Sequence, residues 1–232
     1  MHKEKIMTDL HDVTERGLQN KGEEDRARAK VSRRSFFLRA AATAAITTPI
    51  ASLLVEQTAH AASRSAYNLS ASDAFHEIRK DEDAHVSFLK EALGKAARPK
   101  PKFKDLQQHS SASFVNLSQV FENVGVGAYL MAAPAISNKG NLAAAGSILT
   151  IEARHAGYLN ALVGKPLSGN GAFDKPISQS QIIKDVSPFI DNLNGGSNPA
   201  NALKNDIDIL NFALLLEYLE AEFYDINVPK FY

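Results

Sequence analysis

From residue 206 to 225 runs a segment too apolar to lie on a surface. Ile207, Ile209, Leu210, Phe212, Ala213, Leu214, Leu215, Leu216, Tyr218 and Leu219 fall on nearly every side of a helix. A helix that is apolar around most of its circumference must be covered around most of it, so this one is expected at the centre of a helical assembly. Three other stretches carry helix signals. The first starts at a Ser72 N-cap, presents Phe75, Ile78, Val86 and Leu89, and stops at Gly94 and Pro99. The second covers about 113–131 and ends at Pro134, and the third runs from Asn138 to Gly164, before Pro166. Between the third and the last, residues 165–205 are rich in Gly, Ser, Asn and Pro around one short apolar run, Ile182, Ile183 and Val186. They read as a long crossing loop with a helical turn or two. No strand-like alternation persists anywhere, and alanine, leucine and isoleucine are plentiful. The expectation is an all-α chain built as a four-helix bundle.

The first sixty residues have a different character. Residues 1–30 are polar and charged and read as disordered. Ser32-Arg33-Arg34-Ser35-Phe36-Phe37-Leu38-Arg39 then precedes a mildly apolar run from Ala40 to Val55, which ends in the small-x-small pattern Ala59-His60-Ala61. A positive flank, a short apolar centre and a small-residue exit make an export signal, and the run is too short and too rich in Ala and Thr for a membrane-spanning helix. The paired arginines resemble the twin-arginine type, which implies the twin-arginine export machinery as a partner, transport of an already folded protein, and a periplasmic or other extracytoplasmic location. The expected division is 1–61 for the signal with its extension and 62–232 for the folded domain.

Composition removes several classes of function. With no cysteine, disulfides, thiolate metal sites, iron–sulfur clusters and a cysteine nucleophile are excluded. The 26 basic and 26 acidic residues balance, so nothing in the overall charge points to nucleic acid. The basic run Arg98-Pro99-Lys100-Pro101-Lys102 reads as a surface spacer.

Chemistry enters with two motifs, each present twice. Glu82-Asp83-Ala84-His85 and Glu152-Ala153-Arg154-His155 are both Glu-x-x-His, on the first and third helices. At a spacing of three, both side chains leave one helix face, so one metal ion can take the carboxylate and the imidazole together. The second and fourth helices share Glu-x6-Tyr, as Glu122 with Tyr129 and Glu217 with Tyr224, each tyrosine two turns along its glutamate's stripe. Lone glutamates from two helices and Glu-x-x-His from two others are the inventory of two-metal carboxylate bundles. Four carboxylates and two divalent ions sum to neutrality. Oxygen-rich ligands with two imidazoles suit iron or manganese better than zinc. Glu82, His85, Glu122, Glu152, His155 and Glu217 are the expected ligands. Glu220, about sixty degrees around the helix from Glu217, stays open as the alternative on the last helix. Tyr129 and Tyr224 are candidates for tuning the site or supplying an electron, against the ordinary reading of both as core aromatics. Asp73, His76, His109 and Glu222 are read as lying off the site.

Leu216-Glu217-Tyr218-Leu219-Glu220-Ala221-Glu222-Phe223-Tyr224, Phe121-Glu122-Asn123-Val124-Gly125-Val126, Ile151-Glu152-Ala153-Arg154-His155-Ala156-Gly157 and the segment around Glu82 and His85 together resemble the desiccation-related ferritin-like proteins of bacteria and plants. The resemblance implies a ferritin-like fold. In that family the segment equivalent to Asn205–Ala213 usually opens the domain, whereas here it closes it, so the helix order looks circularly permuted, within one chain or by swapping with a second copy. The resemblance implies the fold and not a reaction; the ligand set and the export signal give the expected function, an exported di-iron or di-manganese protein that reacts with oxygen or peroxide, an oxidoreductase of ferroxidase or peroxidase type, with a homo-oligomer as a candidate assembly. The alternative is a non-enzymatic stress scaffold whose metal site is degenerate or structural.

Overall fold

The computed structural model describes residues 70–232. The export segment read at 1–61 lies outside the described residues. Four long helices and one short one dominate what is described: α1 (Ala71–Leu93), α2 (Ser111–Ala132), α3 (Lys139–Leu162), α4 (Gln179–Val186) and α5 (Asp206–Phe231). Two strands, β1 (Lys102–Phe103) and β2 (Ile190–Asn192), add a minimal antiparallel ladder. The chain is all-α in class. None of the described helices is long and apolar enough to cross a membrane.

Caps explain where the helices begin. α1 starts two residues before the expected Ser72: the Ser70 hydroxyl accepts from the Asp73 amide and the Asp73 carboxylate accepts from the Ser70 amide. Such a reciprocal box satisfies two of the amides that every helix start leaves free and contributes about 1 kcal/mol. Ser110, Asn138 and Asn205 cap α2, α3 and α5 in the same general way. Asp206, in the first turn of α5, reaches across to the turn before α3. Its carboxylate accepts from the amides of Ser137 and Asn138 and from the Asn141 side chain at 2.8–3.0 Å. Burial acts to raise its pKa, but these three donors outweigh it and hold the carboxyl below its usual range.

α5 is the central helix, with every residue from Ile209 to Ala221 buried. Ile207 is the exception to the expected apolar surround, since the first turn projects past its cover and leaves that side chain half exposed. The helix also continues beyond residue 225 to Phe231, accommodating Pro229 in an exposed last turn where one missing amide costs little.

The long helices pack mainly as two pairs, α1 with α5 and α2 with α3. Both pairs are antiparallel: Arg79, early in α1, bonds Asp225, late in α5, while the chain just past α1 meets Asn211. Gln119 and Asn160 meet near the start of α2 and the end of α3. The turn between α2 and α3 is short. The steps from α1 to α2 and from α3 to α5 join parallel helices, so each must travel the bundle's length.

Those two crossing segments are better ordered than a solvated loop. The 165–205 stretch holds the two-turn helix α4, whose Ile182 and Val186 are buried in the same core as Phe114, Phe121 and Phe223. Its β2 pairs with β1 of the other crossing segment, Lys102 opposite Asn192. The basic run at 98–102 is not a surface spacer throughout. Arg98 is buried, its guanidinium donating to the carbonyls of Asn211 and Ser197 and its amide to the Asn211 side chain. A residue that reads as solvated is covered because chain a hundred positions away lies over it.

Candidate metal centre

Half-way along the bundle, all four long helices turn polar side chains inward at the same level. α1 supplies Glu82 and His85, α2 supplies Glu122, α3 supplies Glu152 and His155, and α5 supplies Glu217. The i, i+3 spacing on α1 and α3 brings each glutamate–histidine pair to the inner face, and the antiparallel pairing aligns the levels. All six are buried; Glu82, Glu122 and Glu152 have no exposed surface at all.

The ligand atoms form two groups, each with every atom within 4.8 Å of the others: Glu82, His85, Glu152 and Glu217 in one, and Glu82, Glu122 and His155 in the other. Glu82 belongs to both. The Nδ1 of His85 lies 3.2 Å from Glu82, 3.3 Å from Glu152 and 3.2 Å from Glu217. The Nδ1 of His155 lies 3.1 Å from Glu82 and 3.2 Å from Glu122. In both rings, then, the same nitrogen faces the carboxylates.

The tyrosines serve the glutamates of the opposite helix. Tyr224 of α5 donates to Glu122 of α2 at 2.6 Å, and Tyr129 of α2 donates to Glu217 of α5. Each is buried, and burial first and the adjacent carboxylate second push both phenols well above the usual range, so each stays a donor. Asp81, which sequence reasoning passed over, lies 3.3 Å from the outer nitrogen Nε2 of His155. Its signal was adjacency to the Glu82 motif together with the need of any ligating imidazole for a partner on its second nitrogen. Glu220 is buried one turn after Glu217, close to Glu152 and outside both groups. Asp73, His76 and His109 are exposed, and Glu222 pairs with Lys100 away from the centre.

The electrostatics are those of too much negative charge in too little water. Burial first, then Glu82, Glu122 and Glu217, pushes Glu152 well above the usual carboxyl range. Glu82 is raised by burial and by Glu122, with the two histidines pulling the other way. Glu217 is the opposite case: burial would raise it, but the His85 charge and bonds from His85 and Tyr129 hold it low. Burial would lower both imidazoles, yet the surrounding carboxylates hold His85 and His155 well above their ordinary value.

Four buried carboxylate oxygens have no well-formed hydrogen bond: Glu82 Oε1, both oxygens of Glu152, and Glu217 Oε2. Three of them face only a histidine Nδ1 at 3.1–3.3 Å that other carboxylates share, and Glu152 Oε2 faces no donor at all. An unpaired buried carboxylate is costly, and cations are its natural complement. Oxygen donors with two imidazoles, the free oxygens converging, fit divalent transition metals. The cluster is compatible with a two-metal site.

Comparison with known proteins agrees with this geometry. The family model for a ferritin-like domain matches residues 19–165 and 205–231, leaving out most of the second crossing segment and beginning within the N-terminal stretch. No curated protein and no solved structure matches the chain. With three-quarters of its length under that model and a four-helix core built around buried carboxylates, the chain belongs to the ferritin-like domain family.

Proposed function

We propose that the chain is an exported ferritin-like protein that binds two divalent ions, iron or manganese, and reacts with oxygen or peroxide in protection against stress. The observation that carries this reading is the set of four buried carboxylate oxygens with no well-formed hydrogen bond, three of them sharing two inward-facing histidine nitrogens and one, Glu152 Oε2, without any donor. A scaffold core would place such positions in apolar or hydrogen-bonded residues. Glu82, common to both ligand groups, would serve both positions, with His85, Glu152 and Glu217 at one and Glu122 and His155 at the other. Two such ions, when bound, supply one-electron chemistry toward oxygen or peroxide. The chain's own part is to hold the ligands and control protons. Tyr129 and Tyr224 each fix one glutamate by a phenolic O–H, and Asp81 holds the proton of His155 on Nε2, leaving Nδ1 to face the ions.

The pairing of α5 with α1 and of α2 with α3 supports a permuted helix order in which the last helix takes the place that the family's first usually occupies. Export through the twin-arginine machinery and a periplasmic location rest on the Arg33-Arg34 segment and the Ala59-His60-Ala61 exit. Because the family match starts at residue 19, the mass of the exported protein is the direct reading of whether that segment is removed.

Elemental analysis of protein purified after native export tests the centre. About two iron or manganese ions per chain are expected. Replacing Glu82 and Glu152 together with alanine should abolish binding while leaving the helical circular dichroism. Metal retained by that variant overturns the assignment. Metal in the unaltered protein without oxygen or peroxide turnover favours the scaffold reading.

A further inference from the structure

Glu220 has no place in a six-ligand centre, yet it lies against it. It stands one turn beyond Glu217 on the most enclosed helix, at 3% exposure, where burial alone would favour an apolar side chain. Its surroundings show why a carboxylate fits there. Opposite it, mid-helix in α2, stands Gly125. A Cβ at that position would lie 2.4 Å from Glu152 Oε2 and 3.4 Å from Glu220 Oε1. Glycine inside a helix costs about 1 kcal/mol relative to alanine, and here it clears the space into which both carboxylates reach. Glu152 Oε2 is fully buried, points into that space and has no donor.

We propose that Glu220 is a fifth carboxylate of the centre, joining Glu152 on the cation held beside His85, and that the two metal positions are therefore unequal. This inference rests on the two-metal reading above. The His85 position then draws on Glu82, Glu152, Glu217 and Glu220, whereas the His155 position draws on Glu82 and Glu122, with Asp81 on the far ring nitrogen. More negative charge and more oxygen donors make the His85 position the first to fill and the last to empty.

The test is a titration of the full chain, stripped with chelator, with Co(II), followed by calorimetry and by visible absorption. The unaltered protein should take two ions in a tight step and then a weaker one. Glu220→Leu, which suits the burial and cannot ligate, should weaken the tight step by about tenfold or more and leave the weaker step within about twofold. Its cobalt spectrum should gain intensity as the coordination number falls. A loss of affinity with an unchanged spectrum would make Glu220 a neighbouring charge and overturn its role as a ligand, as would an unchanged titration. If circular dichroism shows that the leucine variant does not fold, Glu220→Gln, which keeps the volume, carries the same titration with the same expectations for affinity. Failure of the unaltered protein to bind cobalt, iron or manganese would instead sink the two-metal reading itself, so the two failures are distinct.

Discussion

At the scale of single residues, the centre depends on hydroxyls as much as on carboxylates. Glu217 has one oxygen bonded by Tyr129 and one facing only the Nδ1 of His85, which Glu82 and Glu152 share. Tyr129→Phe would leave Oε1 of this buried, ionised carboxylate without a donor. A hydrogen bond to a charged group is worth about 1.5–3 kcal/mol, so the urea midpoint of the chelated protein should fall by that equivalent, with bound metal per chain unchanged. A drop in metal content would instead show that the phenol orients Glu217 for binding. The six ligand candidates are legible in sequence because i, i+3 and i, i+7 are rigid consequences of helix geometry. The partnership of each tyrosine with the glutamate on the other helix is not, because intrahelical spacing says nothing about which helix lies opposite. Asp81 escapes for the same reason, and Glu220 is legible only as an alternative to Glu217: the residues they face, His155 and Glu152, both belong to α3.

At the scale of elements, the two glycines of α2 divide its labour. Gly125 faces the carboxylates, while Gly127 faces the second crossing segment, where its carbonyl accepts from the Ile177 amide at 3.0 Å. A Cβ at Gly127 would lie 2.3 Å from Ile177 Cγ1 and 2.9 Å from its Cβ, so relief requires moving backbone. Gly127→Ala should therefore destabilise by about 1–3 kcal/mol despite alanine's better helix propensity. Gly146 of α3 has nothing within 4 Å of a Cβ, and Gly146→Ala should stabilise by about 0.5–1 kcal/mol. Denaturant melts of the two variants read the contrast, and equal effects would mean that Ile177 is not docked as described. The helices themselves are legible because Pro134, Asn138 and Gly94 punctuate an apolar period. The docking of 165–205 is not. Its Ile182 and Val186 look like a turn's worth of apolar residues until Phe114 and Phe121 are seen to cover them. Arg98 misleads in the opposite sense, since prolines and lysines around a cation are the usual marks of a surface.

At the scale of the whole molecule, stability and metal are linked through pH. In the chelated protein, Glu152 and Glu220 are raised by burial and then by their neighbouring carboxylates. For such an acid the folded state holds its proton longer than the unfolded chain, so stability falls as pH rises through the window above the unfolded value of about 4.3. His85 and His155, raised by their carboxylates against burial, contribute stability that is full below about 6.5 and is lost as pH climbs through their higher folded values. Glu217, held low, contributes stability that is lost only in acid, below about 4.3, and is constant above it. Between pH 5 and 8, then, every shifted group of the centre that responds pulls the same way, and the chelated protein should lose stability as pH rises. Divalent cations reverse the sign, because they bind deprotonated carboxylates and neutral imidazoles and compete with protons for them. At saturating Mn(II) the midpoint of thermal unfolding should exceed that of the chelated protein by a margin that widens from pH 5 to pH 8. A margin that is flat or shrinks with pH would mean that the added metal binds outside this cluster. A falling midpoint for the chelated protein beside a level one for the loaded protein would tie the stability of the bundle to the ions its five buried carboxylates attract.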